Sequence, residues 1–346
     1  MKTEILDVRN LKLNYDNIKK GAKYLTDGEV VAIPTETVYG LAANAFNENA
    51  IKKIFEVKGR PQDNPLLVHI CEKSQVYDIC NDITEKAEKV MDAFWPGSAT
   101  LIFKKKACIS NTITAGMDTV GIRFPKSEVA RAIIRESKTY LVAPSANLSG
   151  KPSTTTAEHC LKDLNGKIPC ILDGGECNIG LESTIIDMSV EHPILLRPGA
   201  VSIEEICKII PDLIYEKSLL SAKANEIPKA PGMKYRHYAP SQPVTLVEGI
   251  YNKSAKWIKE KADNKNDAII CFEEYIKEFS ECSNVFNLGS IDNLKTAAQK
   301  IFDILRKCDE LKINHIYIQA PKNEGLGTSV LNRLEKASAG DIINVI

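Results

Sequence analysis

Between Lys58 and Ile70 the chain reads KGRPQDNPLLVHI. Lys58 and Arg60 stand two residues apart on a stretch braced by Pro61 and Pro65, so both cations can converge on one polyanion. A guanidinium can also fork two phosphate oxygens. The competing reading is a solvated charge pair, but rigid prolines hold a site better than they decorate a surface. Asp63 and Asn64 add polar groups to the same turn. His69 follows in an apolar run, where a lone histidine is ordinarily a hydrogen-bonded core residue.

Four other stretches carry groups of the same kind. PTETVYGLAANA sets three hydroxyls (Thr35, Thr37, Tyr39) and the Glu36 carboxylate at a strand end before a glycine, where α/β sheets bind ligands. Threonines capping a turn would give the same pattern. APSANLSGKPSTTT presents Ser145, Asn147, Ser149 and Ser153 beside Gly150, a loop suited to phosphate, though it lacks the GxxxxGK[ST] pattern of a P-loop. TVGIRFP buries Arg123 in an apolar strand. Such an arginine needs a carboxylate, either from the protein or from a ligand. LRPGA places Arg197 at another strand end. Four cations, a hydroxyl loop and a Thr/Tyr cluster fit a nucleoside triphosphate beside a small carboxylate. The chain shows no Ser/His/Asp pattern, activated-cysteine motif or HExxH. The chemistry therefore rests on positioning and charge stabilisation, as in nucleotidyl transfer.

These groups must be held by short strands. EVVAIPT, PLLVHI, ATLIFKK, TVGIRFP, YLVAPSA, CILDGG, STIIDMS and ILLRPG read as strands or strand ends. Helical spacing marks residues 16–27 and 48–57, and the helix in TEKAEKVMDAFWPG stops at Pro96. The fold class expected is α/β: a twisted mixed-sheet domain with a concave basic cavity over residues 1–212. A linker over 213–243, with four prolines, leads to a smaller Rossmann-like doubly wound domain over 244–346. There VTLVEG, DAIICF, NVFNLG and HIYIQA alternate with helical segments. The linker centre, APGMKYRHYAP, is too rich in aromatics for a merely flexible connection and is expected to fold back over the first domain as a lid.

The 346 residues are 44% hydrophobic and 26% charged, enough for two globular domains. Lys and Arg total 45 against 45 Asp and Glu, so no global field draws in nucleic acid or an acidic membrane, and any anion site is local. No run approaches the roughly 20 apolar residues of a membrane span, and MKTEILDVRN lacks a signal peptide's apolar core; a cytoplasmic protein is expected. The ten cysteines are scattered without a CxxC pair and read as reduced, mostly buried thiols.

PTETVYGLAANA, KGRPQDNPLLVHI, TAGMDTVGIRFP, APSANLSGKPS, ESTIID and LRPGA, in this order and spacing, resemble the YrdC/Sua5 family of L-threonylcarbamoyladenylate synthases across roughly residues 8–210. The linker and appended domain are similar to its long Sua5 form. The resemblance implies that L-threonine, bicarbonate and ATP give threonylcarbamoyl-AMP and pyrophosphate, with ATP as substrate and Mg2+ alongside it. A downstream transferase then passes the group to adenosine 37 of tRNA, so direct tRNA binding is not required. It further implies Lys58, Arg60, Ser145 and Asn147 at the phosphates and reacting centre. Asn64, Thr119, Ser153, Arg197 and Tyr235 are implied as further ATP contacts. Thr37, His69, Arg123, Ala143 and Ser183 are implied around L-threonine, with Arg123 on its carboxylate. No protein metal ligands are implied. The variants GLAANA and WPGSAT depart from the usual family wording only conservatively. An RNA-binding module using the same cavity without catalysis is the alternative.

Overall fold

The computed structural model describes residues 2–216, 228–234 and 238–345. The chain divides into two compact units. The first comprises Met1–Ser149, Ser153–Asn178 and Glu182–Lys234, and the second comprises Gly150–Pro152, Ile179–Leu181 and Tyr235–Ile346.

Eleven described strands build the sheet of the first unit: β1 (Glu4–Asp7), β2 (Val31–Ile33), β3 (Gly40–Asn44), β4 (Leu67–His69), β5 (Cys80–Asn81), β6 (Ala99–Lys105), β7 (Thr119–Arg123), β8 (Leu141–Val142), β9 (Cys170–Asp173), β10 (Thr184–Asp187) and β11 (Ile194–Arg197). Their order is β1-β9-β2-β3-β8-β4-β7-β6-β10-β11, with β5 paired to β6. The pairing is mixed: β4 runs parallel to β7, while β6 runs antiparallel to β7 and parallel to β10.

Alternation sorts the side chains to the two faces. Val68, Leu101, Phe103, Val120 and Ile122 point into the main core together with Ile51, Ile54 and Phe55 of the helix Glu48–Lys58. Toward the β1 end, the other face carries Val31, Ile33, Ala42 and Leu141 against the helices Tyr15–Thr26 and Glu128–Ser137. Farther along that same face, Leu67, Ile102, Ile185 and Leu196 are met by Ala230 and Met233, so this part of the linker packs on the sheet itself.

The local sequence explains the element that ends at Lys58. Asn47 caps Glu48–Lys58 by accepting from the N–H groups of Asn49 and Ala50, and Gly59 ends it in the left-handed region at φ 60°. Four strands escape the sequence reading, among them the two-residue β5. β1 and the strand Ile342–Val345 are short edge segments, and β3 is built from GLAAN, whose alanines are poor strand formers.

The second unit holds an all-parallel sheet of β12 (Val244–Gly249), β13 (Ala268–Cys271), β14 (Asn284–Asn287), β15 (Ile316–Gln319) and β16 (Ile342–Val345), in the order β14-β13-β15-β12-β16. The helix Tyr251–Lys261 packs on the side of Val247, Ile269 and Cys271. Leu246, Ile270 and Ile318 are just as buried on the opposite side, the two-faced burial of a parallel sheet. The short helix expected after DAIICF is a 3-10 segment, Glu273–Phe279.

All ten cysteines are free thiols, seven of them buried. Among the described residues no helix is long and apolar enough to cross a membrane.

The glycine of LRPGA is fixed by close backbone approach. A Cβ on Gly199 would stand 2.5 Å from Glu182 O, Ser183 C and Thr184 N. Backbone cannot give way as a side-chain tip can, so Gly199→Ala should destabilise the first unit by about 3 kcal/mol, the upper range for overpacking. A urea-unfolding midpoint equal to that of the parent chain would show that this approach is not a constraint.

Candidate active site

Register across β4, β7 and β6 lines up His69, Arg123 and Thr100, and Ile185 of β10 continues the row to Arg197 of β11. Residues directly opposite one another share a face. This is the face that meets Ala230 and Met233, away from the main core. His69, Thr100 and Arg123 are all buried.

Arg123 is 4% exposed, and its Nη2 donates to Glu36 Oε1 at 2.8 Å. The carboxylate is itself fixed: Oε2 accepts from the Ser127 N–H at 3.1 Å, and Ser98 Oγ donates to Oε1 at 3.4 Å. Burial alone would raise the Glu36 carboxyl, but the Arg123 charge and its hydrogen bond outweigh that and hold it below the usual carboxylate range. The buried Arg123 thus has a protein carboxylate as partner. Its Nε–H, however, is buried without any.

His69 is neutral at ordinary pH. Burial, with the Arg123 charge adding to it, lowers its imidazole to about 3. Nδ1 lies 3.3 Å from Leu67 O. A histidine held neutral this firmly can shape a pocket and exchange hydrogen bonds, but it is a poor proton acceptor at pH 7.

The KxR and SxN stretches meet through Lys58. At the C-terminus of its helix, the lysine ammonium donates to the carbonyls of both Ser145 and Asn147, and the Ser149 N–H returns to Lys58 O at 2.8 Å. The hydroxyl loop is therefore fastened to the cation loop. Arg60, 9% exposed, donates from Nη2 to Pro65 O at 3.0 Å and from Nε to Asn64 O at 3.4 Å, while Asn64 Oδ1 is buried without a partner. Ala143 donates its N–H to Leu67 O, and Ser145 forms a bridge with Gly40. Thr37 Oγ1 lies 2.9 Å from Thr35 Oγ1, one residue along from Glu36.

Arg197 organises the neighbouring strand ends. Arg197 donates to Ser183 O from Nε at 3.2 Å and from Nη2 at 2.9 Å, and Nη1 reaches Pro231 O at 3.3 Å. Ser183 Oγ sits 2.7 Å from Thr100 Oγ1. Ser153 Oγ donates to the buried Glu182 at 2.5 Å. Thr119, at the other end of β7 from Arg123, shares a small pocket with Pro65, Leu67 and Pro231. Lys234 pairs with Asp63 at 2.9 Å, which ties the end of the described linker to the turn after Arg60. Tyr235, expected at the nucleotide, and His237 lie outside the described residues.

Two residues of this constellation were not assigned a role from sequence. Glu36 stands in the quoted PTETVYG, and asking which carboxylate balances Arg123 would have raised it, though only as one of 45 acidic residues. Thr100 lies inside the apolar run ATLIFKK and gives no signal at all.

The family described as telomere recombination (Sua5/YciO/YrdC) matches residues 23–199, and the threonylcarbamoyl-AMP synthase C-terminal domain matches residues 201–339. The threonylcarbamoyl-AMP synthase of Pyrococcus abyssi is 44% identical over 99% of this chain and all of its own length, and that of Bacillus subtilis is 44% identical with the same coverage. The crystal structure of P. abyssi Sua5 complexed with L-threonine superposes with a TM-score of 0.90 at 42% identity, covering 99% of this chain and 100% of that one. The Escherichia coli YciO structure shares the fold at a TM-score of 0.53 and 19% identity, covering 59% of this chain and 99% of its own. Fold and site thus define a nucleotidyltransferase of the Sua5/YciO/YrdC type. The chain belongs to the threonylcarbamoyl-AMP synthase family, in its long Sua5 form.

The depressed His69 has a measurable consequence. The native state keeps the ring neutral, whereas the unfolded chain protonates it near its ordinary value of 6.5. The unfolded state then binds the extra proton, so stability is fully present above pH 6.5 and falls as pH drops toward about 3. Relative to His69→Gln, the parent chain should lose about 1.5 kcal/mol of its advantage between pH 6.5 and 5, above the range where Glu36 titrates. Parallel denaturation curves for the two proteins across that window would contradict a buried neutral imidazole.

Proposed function

We infer that the protein condenses L-threonine, bicarbonate and ATP into threonylcarbamoyl-AMP and pyrophosphate, the first step toward threonylcarbamoyladenosine in tRNA. The observation that carries this reading is the buried Arg123 with an unfilled Nε–H beside a neutral His69. Such a pair suits a small carboxylate-bearing ligand rather than the interior of a sheet. The relatives' names and the threonine complex of the P. abyssi protein support threonine and ATP as substrates.

In this reading Arg123 takes the threonine carboxylate, while Thr37, His69, Ala143 and Ser183 enclose the rest of the amino acid. The amine reacts as its free base, its ammonium proton having passed to solvent. With bicarbonate the N–C bond forms as the C–OH bond breaks and water leaves; with CO2 the N–H proton passes to solvent. The resulting carbamate oxygen attacks the α-phosphorus of ATP as the bond to the departing pyrophosphate breaks. Lys58 fixes the Ser145–Asn147 loop and contributes positive charge, and Arg60 stabilises the triphosphate as charge builds on the leaving group. Asn64, Thr119, Ser153 and Arg197 complete the nucleotide site. His69 is too weak a base to take the ammonium proton, and the carbamate, already anionic, needs no further base for its attack. Mg2+ enters as part of the ATP substrate, held by phosphate oxygens rather than by a protein cage.

Residues 213–243 act as a linker and lid between a catalytic domain over 1–212 and the domain over 244–346, with Tyr235 closing on the nucleotide. The packing of Ala230 and Met233 on the site face, and the Lys234–Asp63 pair, support that role. A closed lid keeps water from the labile carbamate and mixed anhydride. A downstream threonylcarbamoyl transferase receives the product.

Pyrophosphate release should require threonine, bicarbonate and ATP together. Equal release without threonine would refute the synthase reading. Arg60→Ala should lower turnover by about 100-fold or more, the scale of losing one preorganised donor, in a protein whose unfolding curve stays near that of the parent. For the lid, threonine and ATP together should slow protease cleavage within residues 228–240, and an unchanged cleavage rate would exclude closure.

A further inference from the structure

We propose that Glu36 is the positioning residue for the substrate carboxylate: it holds Arg123 by a single nitrogen so that the remaining edge of the guanidinium receives the amino acid. This rests on the reading of Arg123 as the threonine carboxylate's partner and goes beyond it by assigning what aims the arginine.

A guanidinium carries five N–H donors in a fixed plane. Glu36 Oε1 accepts from Nη2 at 2.8 Å, and the Nε–H, in a side chain 5% exposed, has no protein partner. A buried donor left unsatisfied costs about 1–3 kcal/mol. An anionic oxygen arriving at that donor recovers this cost, and the complementary charge points to a carboxylate.

The bracket around Glu36 makes it a fixed stop rather than a mobile counter-ion. Its second oxygen is bound to the backbone N–H of Ser127, the cap of the helix Glu128–Ser137, and Ser98 approaches Oε1 from the turn before β6. Ser127 Oγ in turn donates to Pro34 O, which closes a loop back to the strand end that carries Glu36. Two separate elements therefore hold one carboxylate, and the carboxylate holds the arginine's plane.

Charge balance follows. Glu36 and Arg123 cancel each other, and a zwitterionic amino acid adds no net charge when it binds. An amino acid amide, which lacks the anionic oxygens, should bind poorly to the same edge.

The test measures threonine binding and steady-state kinetics for the full-length protein and for Glu36→Gln, Glu36→Asp and Arg123→Lys, with L-threonine amide as the comparison ligand. In Glu36→Gln the KM for threonine should rise about tenfold or more, the scale of one charge-assisted hydrogen bond. In the same variant kcat should change by less than about threefold and ATP affinity should hold. The parent's preference for threonine over its amide should shrink about tenfold. Glu36→Asp should recover part of both effects. Unchanged threonine binding in Glu36→Gln overturns the proposal. So does an equal loss of ATP and threonine binding together with a lowered melting temperature, which marks a purely structural residue. A parent chain that binds no threonine defeats the synthase reading and this proposal with it.

Discussion

The buried pair of Arg123 and Glu36 governs the arrangement of the first unit. Taking two charges out of water costs several kcal/mol per ion, and their mutual attraction about repays that cost, so such a pair adds little net stability. Removing either partner is a different matter, at about 3–5 kcal/mol, because the other charge is then stranded. The pair is therefore better understood as a fixture than as a source of stability. It locates the end of β7 relative to the PTET strand end and to the start of the helix Glu128–Ser137, and everything on the row from His69 to Arg197 takes its place from β7.

A second device works through backbone carbonyls. Lys58 is 3% exposed and spends its ammonium on two carbonyls of a loop far away in sequence. A cation satisfied by backbone oxygens keeps its full positive charge for any anion nearby, which a salt-bridged lysine does not. Arg60 and Arg197 follow the same pattern, each bonded to main-chain carbonyls in the described contacts. The first unit thus concentrates three buried cations that bond to main-chain carbonyls, in a chain whose formal net charge is zero. Their placement answers why composition alone gave no hint of an anion site: the charge is local.

Much of this was legible in the sequence where short-range chemistry decides the outcome. The helix Glu48–Lys58 could be bounded from Asn47 and Gly59, and the strand Ala99–Lys105 from seven consecutive residues that suit a pleated sheet. The KxR and SxN stretches announced themselves by polar density and prolines. What stayed hidden depends on partners distant along the chain. Nothing near Lys58 says that its ammonium meets carbonyls 87 and 89 residues away, and nothing near Arg123 singles out Glu36. Thr100 is unreadable for a related reason: a threonine in an apolar strand earns its meaning only from the strand set beside it. Edge strands such as β1 are short and carry half their residues exposed, so their pattern is too weak to stand out.

The register of β1 on β9 sets a timetable for the ribosome. Glu4 pairs with Cys170 and Asp7 with Asp173, in parallel, and Thr3 Oγ1 bonds to Ile168 O at 2.7 Å. β1 is made long before its neighbour, since all the intervening chain must leave the exit tunnel before β9 exists. At a synthesis rate of about 5–20 residues per second, β1 waits on the order of ten seconds or more with its hydrogen-bonding edge open. The exposed Glu4 and the acidic Asp7 on so short a strand are the sort of residues that discourage premature pairing with other chains during that interval.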